Sequence, residues 1–144
     1  MDLSEQLRDI NTQLTAIIRN IGAEHGITFS QTNILLAIPV DGLFSSQLAY
    51  KVGIEVSTAT RNLKKLESLG YINRVKNHHD RRKVSILLTD EGEKLVEHLD
   101  LELDNVTFTL QQMMSRDERE TMTPVLESLT WNLIRYRAEK GVNE

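Results

Sequence analysis

Apolar residues recur along the first stretch of the chain in steps that alternate between four and three: Leu3, Leu7, Ile10, Leu14, Ile17 and Ile21. That spacing is the seam of one long helix. Two glycines, Gly22 and Gly26, interrupt it. Thr28-Phe29-Ser30-Gln31 then reads as a capping box, in which the Thr28 hydroxyl accepts from the Gln31 backbone N–H and the Gln31 side chain reaches back. A short helix follows through Ile34, Leu35 and Ile38, ended by Pro39 and the Asp41-Gly42 pair. Ser45 is read as the N-cap of a third helix carrying Leu48, Ala49 and Val52 and closed at Gly53. A fourth is predicted from Val56 to Leu69, stopped at Gly70. Only Gly53-Ile54-Glu55 separates the third and fourth helices, which is the spacing of a helix-turn-helix.

The period then changes. Tyr71 to Lys76 is rich in β-forming residues, and Val84, Ile86 and Leu88 alternate with their neighbours, so a hairpin is predicted with Asn77-His78-His79-Asp80 in its turn. Thr89 is the N-cap of a long helix through Leu95, Leu99, Leu103, Val106, Leu110 and Met113. A last helix carries Met122, Val125, Leu126, Leu129, Leu133 and Tyr136, with Pro124 placed in or just after its first turn. The fold class expected is mainly α with a small β-hairpin wing (α+β). Residues 28–89 form a winged helix-turn-helix domain. Residues 1–27 and 90–144 form a helical dimerisation region from both chain ends.

Composition narrows the class. With 40% hydrophobic and 26% charged residues, the chain reads as an ordinary globular protein rather than a disordered or membrane-spanning one. The absence of cysteine excludes disulfides, thiolate zinc sites and thiol redox sensing, and fits a cytoplasmic location. No signal-peptide pattern opens the chain and no membrane partner is expected. The net charge of −4 conceals a strong asymmetry. Lys51 to Lys83 holds nine bases and three acids, a net of +6, while the remainder carries −10. A basic block on an acidic body is the footprint of a local phosphate-binding surface.

On a helical wheel of Val56–Leu69, Ala59, Leu63, Leu66 and Gly70 fall within roughly 40° of one direction. Ser57, Arg61, Lys64 and Ser68 fall opposite, flanked by Thr60 and Lys65. Hydroxyls and bases on one face suit the major groove, where Arg reads guanine and Thr offers a methyl or a hydroxyl. Lys64 and Lys65 suit phosphates. At the hairpin tip, Arg82 could enter a minor groove with Asp80 holding its guanidinium. Ser45, Thr58, Arg74, Arg81 and Lys83 complete the candidate DNA-facing set.

These stretches resemble the multiple-antibiotic-resistance regulator (MarR) family. The resemblance is strongest from Thr28 to Gly92, and most specific in the wing and its exit, Asp80-Arg81-Arg82 followed by a strand and Leu88-Thr89-Asp90-Glu91-Gly92. It implies a DNA-binding transcriptional regulator, mostly of the repressing kind. It places Arg82 in the minor groove with Asp80 orienting it, sets Ser57, Thr58, Thr60 and Arg61 against bases, and puts Lys65 on the backbone. The chain departs from the family at Glu55, where a capping Ser is usual; the cap is expected to move to Ser57.

The seams at the chain ends exceed what one small winged domain can cover. A homodimer is therefore expected, with Leu3, Leu7, Ile10, Leu14, Ile17, Leu126, Leu129 and Leu133 at its interface and a pseudo-palindromic operator as its target. The resemblance implies a small-molecule effector, for which Ile21, His25, Phe29, His98 and Leu99 are candidate lining residues. Two alternatives share the fold. One is a metal-responsive regulator using His25, His98 and Glu102, the last two at i, i+4 spacing. The other is a winged protein-interaction module without DNA binding. No cofactor is expected. The chain shows no phosphate loop, no H-E-x-x-H, no G-x-S-x-G and no cysteine nucleophile, so it is not read as an enzyme.

Overall fold

A computed structural model describes residues 1–142. Six helices and three strands follow in the order α1 (Leu3–Glu24), α2 (Phe29–Ala37), β1 (Leu43–Phe44), α3 (Ser45–Val52), α4 (Val56–Ser68), β2 (Ile72–Lys76), β3 (Val84–Leu88), α5 (Asp90–Met113) and α6 (Arg116–Lys140). The strands form one antiparallel sheet in the order β1-β3-β2, with Leu43 opposite Ile86 and Ile72 opposite Leu88. The expected fold class is the one observed, with β1 as a third strand that the sequence did not announce.

Local chemistry explains most boundaries. Asp2 and Glu5 cap α1 reciprocally, and Thr28 and Gln31 do the same for α2 as expected. Ser45 is not a cap: α3 starts on it, and the preceding Phe44 offers its backbone N–H to Gln47 Oε1 at 3.0 Å. The cap of α4 does not move to Ser57 either. Glu55 holds the N-cap position with no side-chain hydrogen bond, which leaves Ser57 inside the first turn. Pro124 lies well within α6 rather than near its start, because Ser115 and Glu118 form a capping box nine residues upstream of it.

The chain divides into two compact units, residues 1–102 and 103–144, with the boundary inside α5. In the first unit α1 lies against α2, and Leu95 and Leu99 of α5 are buried. The core is built from Ile34, Leu35, Leu48, Leu63, Leu66, Ile72, Ile86 and Leu99, all essentially inaccessible. Each such side chain contributes about 1.5–3 kcal/mol from apolar burial. Gly22 lets α2 come close, since a Cβ there would collide with Thr32 Oγ1. Gly70, expected on the buried stripe of α4, lies exposed beyond the end of that helix with φ +85°.

The second unit contains the end of α5 and α6. No residue of α6 is buried. Phe108, Met113, Val125, Trp131 and Tyr136 are all more than half exposed.

Candidate nucleic-acid interface

The helix-turn-helix is held from behind. Ala59, Leu63 and Leu66 point α4 into the core, at 1% exposure or less. Asn62 donates to Ser30 Oγ at 3.0 Å and ties α4 to α2. Lys51 Nζ donates to the Ala37 carbonyl at 2.7 Å and so closes the C-terminal end of α2. That leaves Ser57, Arg61, Lys64, Lys65 and Ser68 exposed along one face, with Thr58 and Thr60 half-buried at its edge. Thr60 Oγ1 donates to the Val56 carbonyl, which turns its hydroxyl hydrogen back into the helix. Arg61 Nη2 reaches Thr58 Oγ1 at 3.4 Å, a weak contact that leaves the guanidinium in solvent. Ser45 sits half-buried at the first position of α3.

The hairpin tip is organised by two side chains. Asn77 Oδ1 accepts from the backbone N–H of His79 at 2.8 Å, and Asn77 N–H donates to the Lys83 carbonyl at 2.9 Å. Asp80 Oδ1 accepts from the Arg82 backbone N–H at 3.0 Å and stands 3.5 Å from its Nε. The acid therefore shapes the loop as much as it steers the guanidinium. The Arg82 side chain is 95% exposed. Arg81 and Lys83 are exposed beside it, and the Lys83 ammonium lies 5.3 Å from the centre of the Phe44 ring.

Arg74 is placed differently from the other expected contacts. Its Nη2 and Nε donate to Glu67 Oε1 at 2.9 and 3.2 Å, and its backbone N–H donates to Oε2 at 3.3 Å. These hydrogen bonds hold the Glu67 carboxyl below the usual carboxylate range, outweighing the opposite push of partial desolvation. The Arg74 charge is thus matched inside the protein.

The proposed effector residues do not share one environment. Ile21 and Leu99 are core side chains at 8% and 0% exposure, His98 is exposed, and Phe29 is half-buried with the Arg19 guanidinium 5.4 Å from its ring centre. His25 Nε2 lies 3.3 Å from Glu102 Oε1, while Glu102 Oε2 is screened from solvent without a hydrogen-bond partner. His98 Nδ1 donates to the Lys94 carbonyl, and its ring centre is 6.3 Å from that of His25. Among the described residues no group of three His, Asp or Glu is placed to hold a metal ion.

Comparison with known proteins places this geometry. A family model described as transcriptional regulator SarA/Rot matches residues 16–99. The helix-turn-helix-type transcriptional regulator YdgJ of Bacillus subtilis (strain 168) is 30% identical over 130 residues, 87% of this chain and 79% of that protein. A crystal structure of MarR superposes with a TM-score of 0.85 over 96% of this chain and 95% of its own, at 24% identity, which shows the fold. The chain belongs to the MarR-type winged-helix transcriptional regulators.

This MarR-type regulator is also 32% identical over 114 residues to the helix-turn-helix-type regulator TtmR of Methylorubrum extorquens (strain PA1). The match spans 77% of the chain and 56% of TtmR. MepR of S. aureus, solved as a DNA complex, has a TM-score of 0.76 at 27% identity over 92% of this chain and 98% of its own. Among the described residues of the regulator, no helix is long and apolar enough to cross a membrane.

Proposed function

We propose that the regulator binds a pseudo-palindromic duplex site as a homodimer and acts as a repressor, not as an enzyme. The observation that carries this reading is the pairing of two exposed cationic elements in one unit: the face of α4 with Ser57, Arg61, Lys64 and Lys65, and a hairpin tip with Arg81 and Arg82. Neither Lys64, Lys65 nor Arg81 has an acidic partner among the described residues. In this reading α4 enters a major groove, Arg61 bonds a guanine edge, Thr58 and Thr60 present methyls, and Lys64 and Lys65 hold phosphates. Arg82 lies in the neighbouring minor groove, where the potential is most negative.

The dimer rests on exposed apolar rows. In α1, Leu3, Ile10 and Leu14 are 62%, 50% and 45% exposed, and Leu7 and Ile17 are half-buried. In α6, Leu126 and Leu133 are 45% and 48% exposed, with Leu129 half-buried between them. A second copy related by a two-fold axis covers such rows and sets two recognition helices about 34–36 Å apart. Occupancy alone then represses, by excluding other proteins from the covered DNA. A small molecule that changes the spacing of the two helices would release it.

The test is selection of bound fragments from random duplex DNA, followed by affinity measurements over a salt series. A two-fold-symmetric consensus and an affinity that falls steeply with salt are expected. Weak, sequence-independent or salt-insensitive binding would instead favour a winged protein-interaction module.

A further inference from the structure

We propose that Glu67 is a positioning residue for DNA recognition, which fixes the angle between the wing and α4 through its grip on Arg74. The inference rests on the reading that the Arg82 tip and α4 engage the same duplex.

Glu67 lies in the last turn of α4, and Arg74 is the middle residue of β2, opposite Ile86 on β3. Leu63, Leu66 and Ile72 are buried at the joint between these elements, and the turn between them is closed by the Tyr71 N–H donating to the Leu66 carbonyl. Apolar burial is strong but has no preferred direction. The carboxylate supplies direction: Oε1 takes two donors of the guanidinium and Oε2 takes the Arg74 backbone N–H. With one carboxylate oxygen held by the guanidinium and the other by the backbone, the contact resists rotation as well as separation.

Angle matters here because the hairpin projects from its root. Five residues of β2 at about 3.3 Å each put the tip roughly 17 Å from Ile72. A tilt of about 10° at the root then moves the tip by about 3 Å, more than a hydrogen bond tolerates.

Charge supports the same assignment. The basic span Lys51–Lys83 contains only three acids, Glu55, Glu67 and Asp80. An acid there weakens the pull on phosphate. Asp80 orders the loop around Arg82, and Glu67 orders the hairpin root around Arg74. Both arrange arginines on the hairpin, Asp80 at the tip and Glu67 midway along β2.

The experiment is a double-mutant cycle on the full chain with its selected operator: Glu67→Gln, Arg82→Ala and the two together. Glu67→Gln alone is expected to weaken binding about tenfold, and by about twofold or less in the Arg82→Ala background, since a wing without its arginine has nothing left to misplace. Hydroxyl-radical cleavage should show Glu67→Gln exposing the same minor-groove positions as Arg82→Ala. An equal loss from Glu67→Gln in both backgrounds overturns the positioning role, because a merely structural residue behaves that way. Parent affinity in Arg82→Ala overturns the wing reading beneath it, an outcome read from a separate variant. If Glu67→Gln does not fold, Arg74→Gln runs the same cycle from the strand side, with the same two overturning results.

Discussion

Asn62 of α4 donates its side-chain amide to Ser30 Oγ in the first turn of α2, at 3.0 Å, and to the Thr58 carbonyl at 3.1 Å. It stands between the buried stripe of α4 and the face directed outward, so it fixes the roll of the helix without occupying the interface. Asn62→Ala is expected to cost about 1 kcal/mol of stability, the usual net value of a part-buried hydrogen bond. Urea unfolding would check this, and an unchanged midpoint would mean that water replaces the bond at no cost.

In the proposed reading Arg61 bonds a guanine edge. Arg61→Ala should lose about 1–3 kcal/mol of preference at one base pair in each half-site. Affinities for an operator series with single changes give the answer. A uniform loss over all sequences would make Arg61 a phosphate contact.

Leu14 is 45% exposed on the apolar row of α1. A carboxylate at this position would have to be desolvated in any face that a second copy covers. Leu14→Asp, or Ile10→Asp in the same row, is expected to sediment as monomer or aggregate. A dimer of parent strength would remove α1 from the interface.

Glu67 makes stability depend on pH with a known sign. Its folded-state pKa is depressed by the Arg74 hydrogen bonds. The stabilisation is therefore present above the unfolded value, about 4.3 for Glu, and is lost as pH falls through the lower folded value. The gap in stability between the parent and Glu67→Gln should narrow on acidification through that range. A gap that is constant from neutral to acid pH would show that the carboxylate charge contributes nothing.

Much of this was readable from the chain. The Thr28–Gln31 box, the stop at Gly53 and the outward face of α4 follow from short-range rules, in which each residue reports on neighbours within one or two turns. Strand β1 was not readable, because Leu43 and Phe44 are two residues and a period of two needs more. Pro124 reads locally as an early helix residue, but the Ser115–Glu118 box sets the helix start nine residues before it. Which bases are free was beyond the sequence. Arg74 and Lys51 look like Arg61 and Lys64 in composition, yet one is held by Glu67 across a turn and the other by a carbonyl fourteen residues away. Such pairings depend on tertiary geometry that local spacing does not encode.

The exit of the hairpin has a mechanical meaning. Gly92 stands where a Cβ would run into the Tyr71 carbonyl, Thr89 Oγ1 donates to Gly70 O, and Thr89 N–H donates to Tyr71 O. The first turn of α5 is thereby clamped to the loop between α4 and β2 with no slack. The hairpin root and the start of α5 are thereby joined at one point.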